Sequence, residues 1–343
     1  MIRPVDYASE SRELVDVLQK NLPYLPHGLL FDWLYLRNPE GQARTWVAVD
    51  PESQGILGVA AAFPRLVYCD GAEARGYVLG DFCIDPAHRS LGLAVSLQRT
   101  CLEGLAAGGA DFAFDFPSAN MLAVYKRLRL EANATLIRYA KPIRANRKIA
   151  QHVRVGALAR GLGAAANVGL RVRDTSLRLT GDWTIVAEAA PWGEEFTLAT
   201  REWTSNSAIC VARTAKFLNW RYAEHPQQRY ELLTARHKSD LHGYLIHHSN
   251  GEDCVIDDLV AENDAVRRAL LAKTVALARE RGVHTLSSPW LDSHPGTQLL
   301  EKCGFRPREA SPVVLLAFAG GEQRQIGPAE SRCWYLSHGD WES

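Results

Sequence analysis

The sequence predicts an α/β fold, of the α+β kind, that is built twice along one chain. Three observations lead to this prediction. The chain has 343 residues, 47% hydrophobic and 23% charged, which is typical of globular proteins and long enough for about two domains. Strand and helix patterns alternate along the chain, as in mixed sheets flanked by helices. A short aromatic motif occurs in both halves and indicates an internal repeat.

The aromatic motif is Trp-x-Tyr-x-x-x-Pro. It begins at Trp33 within FDWLYLRNPEG and at Trp220 within FLNWRYAEHPQQ. Each copy is followed by two apolar runs separated by turn-forming residues, in TWVAVDPESQGILGVAAAFP and YELLTARHKSDLHGYLIHHS. Such runs predict a β-hairpin in each half.

The elements after the hairpins also correspond. YVLGDFCID at 77–85 and CVIDDLV at 254–260 each predict a buried strand that carries an acid. Apolar residues at helical spacing then predict a helix in each half: Leu93, Leu97, Cys101 and Leu105 in the first, and Val266, Leu270, Leu271 and Val275 in the second. A short strand ending before Pro117 or Pro289, a short helix and a final strand complete each half.

We therefore expect an N-terminal domain over residues 1–141, a linker over 142–181 and a C-terminal domain over 182–343. The linker region is basic and helical in pattern, with Arg144, Arg147, Lys148, Arg154, Arg160, Arg171, Arg173 and Arg178 against the single acid Asp174. A basic amphipathic helix can lie on anionic lipid or bind an acidic partner. It can equally connect the two halves with its charges in water.

Charge and composition exclude several classes. Lys+Arg and Asp+Glu number 39 each, so net charge favours neither nucleic acid nor a membrane surface as partner. The N-terminal segment lacks the apolar core of a signal peptide, and the uncharged stretch Gly161 to Leu170 is far shorter than the roughly 18 residues that span a bilayer. The seven cysteines form no CxxC pair. On a strand, His242 and His248 of HGYLIHH share a face but lie six residues apart, too far to bind one metal ion without a bend. We expect a cytoplasmic protein with reduced thiols, no membrane span and no metal.

The segment IDPAHRSLGLAVSL, residues 84–97, has the pattern of an anion site. A strand ends, a loop follows and a helix begins near Gly92. Amides at a helix N-terminus are unpaired and carry the positive end of the helix dipole, which suits a pyrophosphate. Gly92 lets the backbone approach the phosphates, Ala94 keeps the next turn small, and Arg89 adds positive charge.

With these features the sequence resembles the GNAT superfamily of N-acyltransferases. The residues that carry the resemblance are Pro86, Arg89, Gly92 and Ala94 in the loop, and Asn120, Tyr125 and Leu128 in the later helix. The tandem arrangement is similar to two-domain GNAT proteins and, more distantly, to Fem-type aminoacyl transferases. The resemblance implies two tandem GNAT-like domains, each with a mixed, mostly antiparallel sheet flanked by helices.

The resemblance also implies a reaction. Acetyl-CoA would be the default donor, and a small primary amine would accept the acyl group directly in a ternary complex. The implied donor-site residues are Phe82, Cys83, Ile84, Arg89, Ser90, Leu91, Gly92, Leu93, Ala94 and Asn120. Tyr125 would protonate the departing thiolate. Arg129-Leu130 stands where the family usually has Gly-Phe, which is a departure from its pattern.

Asp81 is the candidate general base. It lies in the apolar run VLGDFCID, and such surroundings raise the pKa of a carboxyl group toward the range useful for catalysis. Strand alternation places Asp81, Cys83 and Asp85 on one face. Alternatively, Asp81 is a buried acid satisfied by backbone or by an arginine, and a chain of waters removes the proton.

The second half keeps the scaffold and lacks these parts. After its acidic strand comes AENDAVRRALL, with Glu262 and Asp264 where phosphate would lie, and acids there repel an anion. Its later helix keeps Gly304-Phe305, and alignment through this pair places Leu300 where the first half has Tyr125. We expect the second half not to bind coenzyme A and to wall the acceptor side or support the first half.

Three function hypotheses follow. The first is an acyl-CoA-dependent N-acyltransferase with no nucleic-acid partner. The second is a non-catalytic binding or assembly module on a decayed tandem fold, suggested by Arg129-Leu130. The third is a Fem-like transferase that uses aminoacyl-tRNA, for which the basic linker is the only support.

Overall fold

The computed structural model describes residues 1–147, 149, 156–174, 177, 181–204, 209–294 and 296–341. Over these residues the predicted fold class is confirmed. Fifteen described strands form one mixed, mostly antiparallel sheet with helices packed against it. No helix in the described part of the chain is long and apolar enough to cross a membrane.

The first half follows the predicted order of elements. They are β1 (Ile2–Pro4), α1 (Tyr7–Asn21), α2 (His27–Phe31), β2 (Arg44–Val49), β3 (Ile56–Cys69), β4 (Ala72–Ile84), α3 (Leu91–Ala107), β5 (Phe112–Asp115), α4 (Ala119–Arg127) and β6 (Ala134–Pro142). Leu97, Cys101 and Leu105 of the predicted apolar stripe bury α3 against the sheet. The helix ends at Gly108 and Gly109, where Gly109 has a φ of +75°.

The chain after β6 repeats the series with additions. Its elements are α5 (Gly156–Asp174), β7 (Thr184–Glu188), α6 (Glu195–Trp203), β8 (Ile209–Val211), α7 (Ala215–Leu218), β9 (Tyr230–His237), β10 (Asp240–Asn250), β11 (Asp253–Ala261), α8 (Asp264–Glu280), β12 (Thr285–Leu291), α9 (Thr297–Lys302), β13 (Arg306–Ala319), β14 (Glu322–Gln325), α10 (Pro328–Ser331) and β15 (Trp334–Tyr335). The linker region contains α5, as its pattern predicts. Lys148, Arg154 and Arg178 of that region lie outside the described residues.

The two halves exchange their last long strands. The sheet order runs β5-β13-β6-β12, so β13 of the second half pairs with β5 of the first. In return, β6 of the first half pairs with β12 of the second. The two exchanged strands also pair with each other, antiparallel. The sheet is therefore continuous across the predicted domain boundaries, whose exact positions stay a prediction.

A shared apolar core joins the halves. The two aromatic motifs form π-helical turns, Asp32–Leu36 and Asn219–Ala223. Trp33 and Trp220 stack there with ring centroids 4.6 Å apart. One cluster of buried side chains contains residues of both halves.

Candidate active site

A wedge opens in the sheet of the first half. β4 and β5 run parallel and pair from Gly76 with Phe112 to Val78 with Phe114. Beyond this point β4 continues to Ile84, whereas β5 ends at Asp115. A cavity of about 700 Å³ lies where the strands part, lined by both of them and by α1, α3 and α4.

A β-bulge in β4 faces the cavity. Val59 pairs with Cys83 and Ala61 with Gly80, so Asp81 and Phe82 lie opposite a single residue of β3. Asp81 has a φ of +45°, in the left-handed region that residues other than glycine rarely adopt. Such a conformation costs energy and is often found at functional sites.

Asp81 is buried and bonded to a phenol. Only 6% of the residue is exposed, and its Oδ2 accepts a hydrogen bond of 2.6 Å from the Tyr35 hydroxyl. His27 Nδ1 lies 3.7 Å from the same oxygen. Burial raises the pKa of Asp81 to about 6, and the Tyr35 hydrogen bond opposes part of that shift. The partner is thus a tyrosine, where the sequence suggested backbone or an arginine as the alternative to catalysis.

Sequence reasoning missed Tyr35 and His27. Tyr35 is the tyrosine of the repeated aromatic motif, so the repeat marked the residue without indicating its partner. His27 is buried at the start of α2, and burial lowers its pKa. No local pattern brings this histidine to a residue 54 positions further along the chain.

The start of α3 forms one end of the cavity. Ser90 caps the helix, since its Oγ accepts a 3.2 Å hydrogen bond from the Leu93 amide. The helix begins at Leu91, one residue before the predicted position, and the first helical backbone bond joins Ala94 N to Ser90 O. The amides of Leu91 and Gly92 therefore precede the helical ladder. A Cβ atom at Gly92 would have no heavy atom within 4 Å, so the local packing leaves open space there.

Most predicted donor-site residues line this cavity. They are Phe82, Cys83, Ile84, Arg89, Ser90, Leu91, Ala94 and Asn120, together with the candidate base Asp81. Gly92, Leu93 and Tyr125 are not in the lining. The opposite wall adds Asp115 to Ser118, and the end of α1 adds Asn21, Leu22 and Tyr24.

Tyr125 lies behind the cavity wall. It is fully buried, and its hydroxyl donates a 2.5 Å hydrogen bond to Oδ2 of Asp115. Gln98 Nε2 donates to the same hydroxyl over 3.4 Å. Burial and the Asp115 charge hold the pKa of Tyr125 well above its ordinary value. Asp115 lines the cavity and lies between it and the Tyr125 hydroxyl. The expected role of this hydroxyl at the donor sulfur stays a prediction.

The end of α4 fixes the position of Tyr125. Arg129 has a φ of +60°, and Leu130 N donates to Tyr125 O over 2.9 Å. In the second half Gly304 has a φ of +88°, and Phe305 N donates to Leu300 O over 3.0 Å. The same helix cap therefore forms with an arginine in place of glycine, and Tyr125 corresponds to Leu300 as the sequence alignment predicts.

The C-terminal segment fills the equivalent wedge of the second half. β10 and β11 show a register shift that leaves Asp257 as the extra residue, as at Asp81. Residues 338–340 contact both β11 and β12, and His338 Nδ1 lies 2.7 Å from Asp257 Oδ1. Asp340 is buried and accepts a 2.7 Å hydrogen bond from Arg213. The α8 start also has the acid Asp264 in its first turn, and an acid at a helix N-terminus opposes the binding of an anion there.

Comparisons with known proteins rest on structure. No protein-family model and no curated protein matches this chain. It is similar to a probable N-acyltransferase of unknown function from Enterococcus faecalis, with 13% identity, TM-score 0.67, and coverage of 92% of this chain and 72% of that one. It is also similar to a GCN5-related N-acetyltransferase from Anabaena variabilis, with 12% identity, TM-score 0.66, and coverage of 92% of this chain and 73% of that one.

A third solved structure is the N-myristoyltransferase of Saccharomyces cerevisiae with bound myristoyl-CoA, at 12% identity and TM-score 0.60. The match covers 96% of this chain and 83% of that one. Among the described residues, no group of three or more His, Cys, Asp or Glu side chains could hold a metal ion. These likenesses show the fold alone: the chain has the fold that the resemblance to the GNAT superfamily of N-acyltransferases implies.

Proposed function

We propose that the protein is an acyl-CoA-dependent N-acyltransferase, with acetyl-CoA as the default donor and a primary amine as the acceptor. The supporting observation is the wedge between β4 and β5, which extends from the capped start of α3 to the bulge at Asp81. One end suits an anion and the other holds a buried carboxylate. The first half is proposed to carry the donor site and the catalytic residues, with the second half walling the acceptor side or supporting the first half.

Donor binding is proposed to use backbone more than side chains. Leu91 and Gly92 offer amides at the positive end of α3, and Arg89 lies on the cavity wall beside them. Beyond Val78, β4 no longer pairs with β5, so the backbone of Phe82 to Ile84 is available to the pantetheine arm. Asn120 lines the cavity from α4.

The proposed chemistry is direct transfer. The amine nitrogen attacks the thioester carbonyl, a C–N bond forms and the C–S bond breaks. Asp81 accepts the proton that the amine loses, because a pKa of about 6 leaves it ionised at neutral pH yet basic enough to take a proton. Tyr125 protonates the thiolate, and for this its hydroxyl must exchange Asp115 for the sulfur.

Calorimetric titration with acetyl-CoA tests the donor site. We expect binding by the full-length protein and loss of binding in Gly92→Glu, because the new side chain adds bulk and negative charge at the phosphates. Gly193→Glu is the matched control, since Gly193 is also exposed and a Cβ atom there would likewise have no heavy atom within 4 Å.

Two results would refute the proposal. One is the absence of binding at about 1 mM coenzyme, which corresponds to less than about 4 kcal/mol of binding free energy. The other is equal loss of binding in both glycine variants. Titration with longer acyl-CoA thioesters under the same conditions then shows which acyl chain length is bound most tightly.

A further inference from the structure

Helix α5 presents large aliphatic side chains to solvent. The exposed fractions are 54% for Leu158, 45% for Leu162, 59% for Val168 and 63% for Val172. At 100° per residue these four positions lie within a sector of about 120° on the helix surface. We call these four residues the outer stripe.

The opposite face of α5 is fixed to other parts of the chain. Asp174 accepts a 2.6 Å hydrogen bond from Lys141 Nζ and a 2.5 Å bond from Arg279. Asn167 accepts from the Ala145 amide over 2.8 Å and donates to Asn146 over 2.6 Å. These bonds hold the rotation of the helix about its axis, so the outer stripe points away from the protein.

The charges beside the outer stripe are positive. Arg160 and Arg171 are exposed on one flank, about 80° and 60° around the helix axis from Val168 at the edge of the stripe. Asp174 is the only acid of the helix, and it is buried and paired with two cations. The chain as a whole has no net charge, so this excess of cations is local to the linker region.

We propose that the outer stripe binds the surface of an anionic lipid bilayer. Helices that lie in a membrane interface bury one apolar face at the headgroup boundary and keep cationic side chains level with the lipid phosphates. The long arginine side chains can reach outward to those phosphates. With 19 residues, α5 is about 28 Å long and lies flat on such a surface.

Charge favours lipid over a second copy of the chain. Two copies packed stripe to stripe would bury the apolar side chains but would give the arginines of the flank no anionic partner. An anionic bilayer instead satisfies the apolar stripe and the cations at once. An acidic protein would offer the charge alone, and it is treated as an outcome of the test.

Vesicle co-sedimentation of the full-length protein tests this inference. We expect binding to vesicles of phosphatidylglycerol mixed with phosphatidylcholine and little binding to phosphatidylcholine alone. Binding should weaken between about 0.1 M and 1 M salt, where the screening length falls from about 10 Å to about 3 Å. Leu162→Glu/Val168→Glu should lower the partition constant by roughly tenfold or more.

Control variants distinguish binding through the outer stripe from non-specific adsorption to vesicles. Leu198→Glu changes a leucine of α6 that is 68% exposed, and it should bind vesicles as the wild type does. Arg160→Gln/Arg171→Gln leaves the stripe intact and should weaken binding to the anionic vesicles only. Unchanged melting temperatures are expected for all variants, because the replaced side chains are exposed.

The inference is overturned if the wild type does not bind anionic vesicles at low salt. It is also overturned if the stripe variant and Leu198→Glu weaken binding equally. Capture of an acidic protein without any vesicle binding would assign the outer stripe to a protein partner and reject the bilayer.

Discussion

Trp33 and Trp220 form a reciprocal pair across the two halves of the chain. Trp33 Nε1 donates a 2.9 Å hydrogen bond to the carbonyl oxygen of Trp220, and Trp220 Nε1 donates a 3.1 Å bond to that of Trp33. The rings lie 16° from parallel. The repeated motif thus meets its own copy, and each indole satisfies a buried carbonyl of the other half.

This pairing predicts coupled stabilities. Trp33→Phe and Trp220→Phe should each lower the free energy of unfolding by about 1–3 kcal/mol, because each removes a donor and leaves a buried carbonyl unpaired. The loss of unfolding free energy in the double variant should differ from the sum of the two single losses, because the two residues are in contact with each other. Urea unfolding of all four proteins measures the coupling, and strictly additive losses would contradict it.

The pKa of Asp81 predicts a pH profile. Below pH about 6 the carboxyl is protonated and cannot accept a proton, so kcat/KM should rise with pH through about 6. Asp81→Asn keeps an acceptor for Tyr35 and should lower turnover by roughly 10²–10⁴-fold while removing this inflection. A variant that keeps the wild-type profile would exclude Asp81 as the base.

The same residue predicts a change in stability. Its folded pKa of about 6 lies above the unfolded value of about 3.9. The stabilising contribution of Asp81 to the free energy of unfolding is therefore present below pH about 4 and is lost as pH rises through about 6. Relative to Asp81→Asn, the wild type should lose roughly 3 kcal/mol between pH 4 and pH 8. Urea unfolding at both pH values measures this difference, and a constant difference would show that the pKa is not raised.

Tyr125→Phe separates the enzyme from a non-catalytic module. The enzyme hypothesis predicts a lower kcat with donor binding retained, whereas a module predicts no effect in any acyl-transfer assay. Loss of the hydroxyl should also cost about 1–3 kcal/mol of stability, because Asp115 loses a buried donor. Tyr244→Phe is the matched control, since this buried hydroxyl donates to Asp258 in the second half. It should cost similar stability and leave kcat unchanged.

The cap of α4 predicts a stabilising substitution. Arg129 occupies a left-handed position where the equivalent residue is Gly304. Arg129→Gly should raise the free energy of unfolding by about 0.5–1 kcal/mol, because the strain of a side chain there exceeds the entropy cost of glycine. Gly304→Ala should be destabilising, since the new Cβ would also lie 2.7 Å from Lys141 Nζ. Thermal unfolding measures both, and a destabilised Arg129→Gly would contradict the cap argument.

Local sequence patterns predicted most of the elements and the face of α3 that is buried. Periodicity is a local property, and Leu97, Cys101 and Leu105 carry it regardless of what they pack against. The loop between β4 and α3 was also predictable, because a strand end, Gly92 and the following helix are adjacent in the chain. The Ser90 cap moved the helix start by one residue only.

The contacts of the site were not predictable in the same way. The bulge at Asp81 depends on its register with β3, and the approach of Tyr35 depends on a π-helical turn far away in the chain. The strand exchange is another long-range choice. LIRYAKPI and PVVLLAF have similar apolar patterns, so the pattern alone does not decide which gap in the sheet each one fills.

The exchange makes a strong prediction for the isolated first half. In residues 1–141, β5 and β6 would lack β13, which pairs with both of them in the full chain. Phe114 would then lie on an open strand edge, and open apolar edges promote aggregation. We expect this fragment to be insoluble or inactive, as judged by soluble yield, acetyl-CoA calorimetry and turnover.

Co-expression with residues 142–343 supplies β13 and should restore soluble protein as a complex of the two fragments. A fragment 1–141 that is soluble and fully active by itself would refute the prediction. A fragment that binds the donor without turnover would support the role of the second half as the wall of the acceptor side. The donor site would then lie in the first half, and the acceptor side would need the second half.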